Sequence, residues 1–258
     1  MEERRGVIHH FMEILPLDAY YSAALYAEDV IRHLDGVFRT SDIALMCGGS
    51  MMYIDAVTNG IDDMPTVSDA VRRHVLGIYE EYGLDAVMAQ LEICDPEYAA
   101  VVDARNPRRV LHALEICLQS GTTYTSFRTG KRAGRPFKML KMMIDRPREE
   151  LFGRIGRRVD EMFRLGLLEE AGKVMAMQHC NALNTVGYKE LVPYFKGETS
   201  LEEAKAKIAR DTRVYAKKQL TWLARDPELV RLSPDGAFAE AVAFISAARC
   251  AHLPERPL

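Results

Sequence analysis

From Tyr20 to Arg39, apolar side chains recur at Ala24, Leu25, Ile31, Leu34 and Val37 with charged residues between them, which is a helical period. Asp42 to Met46 (DIALM) then reads as a short buried strand. It runs into Cys47-Gly48-Gly49-Ser50 and a new apolar helix, MMYIDAV, that closes at Asn59-Gly60. Helix, strand, glycine turn and helix in succession predict a parallel α/β sheet with crossover helices on its faces. After Met64-Pro65 the pattern changes. Ser68 is placed as an N-cap, and VRRHVLGIYEEYG, LDAVMAQLEIC, PEYAAVV and PRRVLHALEICLQSG predict short helices, with Pro96 and Pro107 in first helical turns. A loop from Gly121 to Pro136 leads to a strand over Phe137 to Ile144 (FKMLKMMI) and to helices from Asp145 to about Gln178. A turn with Asn181 and Asn184 follows, then a helix near Tyr188 to Phe195. The segment from Ser200 to Arg225 opens on a Ser200/Glu203 capping-box signature. Val230 to Leu232 predicts a last strand and Phe238 to Ala248 a last helix. The expected layout is a core α/β part over residues 1–62, a helical insertion over 63–136, and a return strand with C-terminal helices over 137–258.

Composition adds boundaries to this picture. The 258 residues are 48% hydrophobic and 28% charged, close to the globular average, which excludes collagen, disordered tails and small disulfide scaffolds. Cysteines at 47, 94, 117, 180 and 250 are odd in number and show no CxxC spacing, as expected of reduced thiols in a cytosolic protein. No signal-peptide pattern and no apolar run of about 18 residues occurs, so the expectation is a cytoplasmic protein with no membrane partner. His9 and His10 have no Cys, Asp or Glu at ligand spacing, and no metal cage is expected.

The net charge of −3 averages over three basic stretches. Arg128, Lys131, Arg132, Arg135, Lys138 and Lys141 lie between Gly121 and Ile144 with no acidic residue among them. Arg105, Arg108 and Arg109 form a second set, and Lys205, Lys207, Arg210, Arg213, Lys217, Lys218 and Arg225 a third. They fit either solvated helix faces or contact with a polyanion. Gly48-Gly49-Ser50 fits either a plain strand-to-helix turn or an anion site at a helix N-terminus. Trp222, in a helical segment, fits core packing better than base stacking.

Taken in order, several short motifs carry a resemblance: Ile8-His9-His10, Tyr21-Ser22-Ala23-Ala24, Gly48-Gly49-Ser50-Met51-Met52-Tyr53, Asn106-Pro107-Arg108-Arg109-Val110-Leu111-His112-Ala113-Leu114-Glu115, Val186-Gly187-Tyr188, and Thr212-Arg213-Val214-Tyr215-Ala216-Lys217-Lys218-Gln219-Leu220-Thr221-Trp222. Together they resemble the bacterial tRNA dimethylallyltransferases, the tRNA isopentenyltransferase family. The resemblance implies a P-loop NTPase-like parallel sheet core with an inserted all-helical domain. It implies transfer of a dimethylallyl group from dimethylallyl diphosphate to the exocyclic amine of the adenosine 3′ of the anticodon, with magnesium as cofactor. The implied partners are the tRNA anticodon arm and dimethylallyl diphosphate, and the chain is expected as a monomer. An exocyclic amine cannot meet a carbon electrophile while its base is stacked, so the base must be extruded.

Carried over residue by residue, Ser50 stands where the family usually has the threonine of GGT, near the reacting base. Arg158 matches the arginine that neutralises the leaving diphosphate, a role suited to a fixed guanidinium. Arg72, Arg105, Asn106, Arg108, Arg109, Asn184, Gly187, Tyr188, Lys189, Lys217, Lys218, Gln219 and Trp222 fall in stretches that contact tRNA. The family's Asn-Asp-Pro is here Arg105-Asn106-Pro107, and Lys189 and Lys218 replace arginines, keeping charge but losing bidentate geometry. The family's GxxxxGKT P-loop, with its magnesium site, and its Asp-Ser-x-Gln motif, with the general base, have no counterpart in these 258 residues. The expectation is therefore a fragment, a mis-started copy or a natural truncation, impaired in transfer and with apolar surfaces left open. The alternatives are a non-catalytic tRNA-binding remnant and a small-molecule P-loop kinase relative; the latter leaves the Arg105–Arg109 and Lys217–Arg225 clusters unexplained.

Overall fold

The computed structural model describes residues 6–130 and 134–250. The chain divides into two compact units, Ser22–Pro136 and Met1–Tyr21 with Phe137–Leu258.

In the Ser22–Pro136 unit, helix α1 (Ala23–Val37) starts where the Ser22 hydroxyl accepts the Leu25 N–H at 3.2 Å. Its buried face is made of small residues, Ala23, Ala27 and Val30. Helix α2 (Met51–Asn59) packs against α1 and buries Ala56 and Val57, with the Tyr26 and Tyr53 rings 4.9 Å apart across the pair. The C-terminal carbonyls of α2 are taken by a cation from far along the chain: Arg135 donates to Val57 O at 2.7 Å and Ala56 O at 2.9 Å.

Helix α3 (Asp69–Cys94) begins at Ser68 as expected, and Gly83 interrupts its helical geometry with φ 81°. The two helices expected there thus meet at Gly83 without a loop. Short α4 (Pro96–Ala99), α5 (Pro107–Ser120) and short α6 (Tyr124–Phe127) complete this unit. Its core lies between α3 and α5, where Val75, Val87, Leu91, Val110, Ala113 and Leu114 are fully buried. Each of these valine and leucine side chains contributes about 1.5–3 kcal/mol relative to exposure. Asp95 is also fully buried. Its carboxylate accepts from Tyr98 N–H at 2.9 Å, Thr125 N–H at 2.7 Å and the Thr125 hydroxyl at 3.0 Å, which ties α4 to α6.

In the other unit, strands β1 (Met142–Ile144) and β2 (Val230–Leu232) pair in parallel with Met142 opposite Val230. Ion pairs flank this ladder, Lys141 with Asp226 at 2.6 Å and Arg231 with Asp145 at 2.9 Å. Helices α7 (Arg148–Arg164), α8 (Leu167–Val174), short α9 (Val192–Phe195), α10 (Leu201–Leu223) and α11 (Ala237–Cys250) make up most of the remainder. Val159, Leu167, Ala171, Leu191, Ala204 and Ile208 form the core of this unit. The Ser200/Glu203 capping box at the start of α10 is present in both directions.

The expected parallel sheet is corrected to two strands among the described residues, in a mostly helical molecule. Asp42 to Met46 is not a strand. A strand needs a neighbour for its backbone N–H and C=O groups, and none of the described residues supplies one. The Ser41 hydroxyl instead bonds both backbone groups of Ile43, and Leu45 remains 82% exposed. The strand expected over Phe137 to Ile144 is confined to Met142–Ile144, where β2 offers partners.

Candidate functional site

In the Ser22–Pro136 unit, Asn106 caps α5, its side-chain oxygen accepting the Arg109 N–H at 3.4 Å, and Pro107 occupies the first turn. The cap sends Arg108 and Arg109 outward at the helix start, where both are exposed and neither guanidinium makes an ion pair or hydrogen bond among the described residues. Arg105 is exposed beside Asp103, 3.8 Å away. The same unit holds an aromatic cluster: Tyr98 and Tyr124 meet edge to face at 4.6 Å, His112 lies 5.9 Å from Tyr124, and Arg128 stands 5.0 Å over the Tyr98 ring. Burial, then the neighbouring Tyr98, push the Tyr124 hydroxyl above its ordinary pKa. Arg72 is half-buried in the first turn of α3. Ser50 stands at the N-cap of α2, exposed and making no side-chain cap bond, so its hydroxyl is not spent on the helix.

In the other unit, Arg158 lies on α7, exposed and without an ion pair or hydrogen bond among the described residues. The turn from Asn184 to Lys189 is set by Gly187, whose φ of 109° favours glycine. The Gly187 N–H donates to the buried Glu190 carboxylate at 2.8 Å, while the second Glu190 oxygen, buried without a hydrogen bond, lies 3.8 Å from Lys189 Nζ. Tyr188 donates its hydroxyl proton to Glu170, and that bond lifts its pKa to about 12. Asn184 and Lys189 are exposed. So are Lys217 and Lys218 on α10, whereas Gln219 and Trp222 are half-buried.

The Gly121–Ile144 basic stretch is thinner than its sequence suggests. Arg135 caps α2 and Lys141 pairs with Asp226, while Lys131 and Arg132 lie outside the described residues. Sequence reasoning missed Glu190, Glu170 and Asp62. Asp62 accepts from Thr129 N–H and the Thr129 hydroxyl at 3.1 and 2.6 Å and from Gly130 N–H at 3.2 Å, holding the start of the basic loop. Only Glu190 left a signal, as a lone acid directly after Gly187-Tyr188-Lys189.

No group of three or more His, Cys, Asp or Glu able to hold a metal ion occurs among the described residues. They offer magnesium no such donor set. No helix among them is long and apolar enough to cross a membrane.

Comparison with known proteins gives these features a common context. The family model described as IPP transferase matches residues 1–226. The chain is 50% identical over 234 residues to tRNA dimethylallyltransferase 1 of Phocaeicola vulgatus, covering 91% of this chain and 78% of that protein. It is 45% identical over 253 residues to tRNA dimethylallyltransferase 1 of Bacteroides thetaiotaomicron, covering 98% and 82%. Among solved structures it resembles the full-length tRNA isopentenylpyrophosphate transferase from Bacillus halodurans, with a TM-score of 0.66 and 27% identity, over 98% of this chain and 83% of that one. A eukaryotic dimethylallyltransferase acting on tRNA shares the fold, with a TM-score of 0.78 at 22% identity, over 100% and 69%. The family model spans most of the chain and the relatives are close to half identical over nearly all of it, and the chain therefore belongs to the IPP transferase family, the tRNA dimethylallyltransferases.

Proposed function

We propose that this chain serves the transfer of a dimethylallyl group from dimethylallyl diphosphate to the exocyclic amine of the adenosine 3′ of the anticodon, in the cytoplasm and as a monomer. In that reaction the carbon–oxygen bond to diphosphate breaks, a carbon–nitrogen bond to the amine forms, and the amine loses a proton. Arg158 takes charge developing on the leaving diphosphate, and the Ser50 hydroxyl lies near the reacting base. Residues 63–136 form the tRNA-gripping part, with Arg72, Arg105, Asn106, Arg108 and Arg109 along the anticodon arm. Asn184, Gly187, Tyr188 and Lys189, with Lys217, Lys218, Gln219 and Trp222 on α10, contact the same RNA.

The supporting observation is that Arg108, Arg109 and Arg158 have no ion pairs among the described residues, whereas Lys141, Arg146, Arg164 and Arg231 are spent on carboxylates. Cations kept unpaired at defined positions suit an anionic partner. The test is an anticodon stem-loop RNA titrated at several salt concentrations, followed by assay of dimethylallyl transfer. Arg108→Ala and Arg109→Ala are each expected to weaken RNA binding and to flatten its log–log salt dependence by about 0.7–0.9. Arg158→Gln is expected to leave RNA binding in place and to lower turnover by roughly a hundred- to a thousand-fold. RNA binding that is absent even at low salt would remove the reading. RNA binding with no transferred group would leave the chain a tRNA-gripping module.

A further inference from the structure

Two guanidinium groups converge on the Phe152 ring of α7: Arg148 Cζ lies 5.0 Å and Arg213 Cζ 5.8 Å from its centroid. Arg213 reaches there from α10. Its Nη2 lies 4.0 Å from the position a Cβ at Gly156 would take, which is ordinary contact distance, so the guanidinium lies against α7 at that turn. The Nε of Arg213 is buried and has no hydrogen-bond partner. Neither Arg213 nor Arg148 makes an ion pair or a side-chain hydrogen bond among the described residues. Two other cations of these helices are paired with carboxylates, Arg164 with Glu161 and Lys205 with Glu202.

A desolvated donor without an acceptor is unfavourable, and a ring's attraction offsets only part of the repulsion between two like charges set against it. An anion with several oxygens removes both penalties, since a guanidinium fork bonds two of them at once. We propose that Arg148 and Arg213, set against Phe152, form a phosphate-binding site. Phe152 and Arg158 are six residues apart on α7, which places them about 120° apart around the helix, so this site occupies a different face from Arg158. It rests on the proposed transfer reaction for its two phosphate sources, the RNA backbone and the donor diphosphate.

The test measures two affinities of the whole chain, for inorganic diphosphate and for an anticodon stem-loop RNA, in the parent protein, Arg213→Met, Arg213→Lys and Arg148→Gln. Loss of a charge-assisted bond is expected to weaken one of the two by about tenfold or more in Arg213→Met and Arg148→Gln, with partial recovery in Arg213→Lys. Weakened diphosphate binding assigns the site to the donor. Weakened RNA binding with a salt dependence flatter by about 0.7–0.9 assigns it to the RNA backbone. Without ligand, Arg213→Met is expected to melt no lower than the parent, because it removes an unsatisfied buried donor. Unchanged affinities in both Arg213→Met and Arg148→Gln overturn the proposal. A lowered melting temperature with intact affinities also overturns it, making Arg213 a packing residue. Transfer activity plays no part in these readouts, so failure of the transfer reading is seen separately.

Discussion

Tyr188 shows how one neighbour sets a side chain's chemistry. Its hydrogen bond to Glu170, more than its burial, raises the pKa to about 12 from an ordinary value near 10. The folded-state pKa lies above the unfolded one, so the stabilisation is complete below about pH 10 and is lost as pH rises through about 12. Glu170→Gln is expected to bring tyrosinate formation at Tyr188 back toward pH 10, read by ultraviolet difference absorbance between variant and parent; an unchanged titration would refute the coupling. At this scale the sequence showed which residue types were present but not their pairings. Arg135 and Arg108 look alike as letters. One donates to the carbonyls of Ala56 and Val57 while the other has no such partner among the described residues. The difference arises from a contact between positions 78 residues or more apart, beyond the reach of any local pattern.

Elements with a chemical signal at their ends were legible. Ser68, Asn106 with Pro107, and the Ser200/Glu203 box all start helices where expected, because a capping side chain acts within three residues of itself. In the Ser200 box, the Ser200 N–H, then the Thr199 and Ser200 hydroxyls, pull the Glu203 carboxyl down to about 2. This value lies below the unfolded one, so the box supports α10 above about pH 4.3, and that support is lost as pH falls toward about 2. Amide exchange in the first turn of α10 is therefore expected to accelerate as pH falls from roughly 5 to 2, after correction for intrinsic rates. Glu203→Gln should remove that pH dependence. Strands were less legible, since a strand exists only through its neighbour. Val230–Leu232 found one in β1, and Asp42–Met46 did not.

At the scale of the whole molecule, apolar side chains stand in solvent around the Gly48-Gly49-Ser50 turn: Ile43, Leu45, Met46 and Met52 are 41%, 82%, 44% and 68% exposed. Such clusters favour self-association. Leu45→Asp is expected to reduce concentration-dependent light scattering while changing stability by no more than about 0.5 kcal/mol; unchanged scattering would acquit the patch. The break at Gly83 has a consequence of another kind. Val75 and Val87 are twelve residues apart, so in an unbroken helix their azimuths would differ by about 120°, yet both are fully buried in the same core. Gly83 acts as a phase shifter, returning the apolar stripe to one heading without a loop. Gly83→Ala meets no atom within 4 Å but must adopt a φ of 81°, and it is expected to lower stability by about 1–3 kcal/mol in denaturant melts. Relieving that strain with a continuous helix would turn one valine out of the core, so the α3–α5 unit depends on a rotation set by a residue with no side chain.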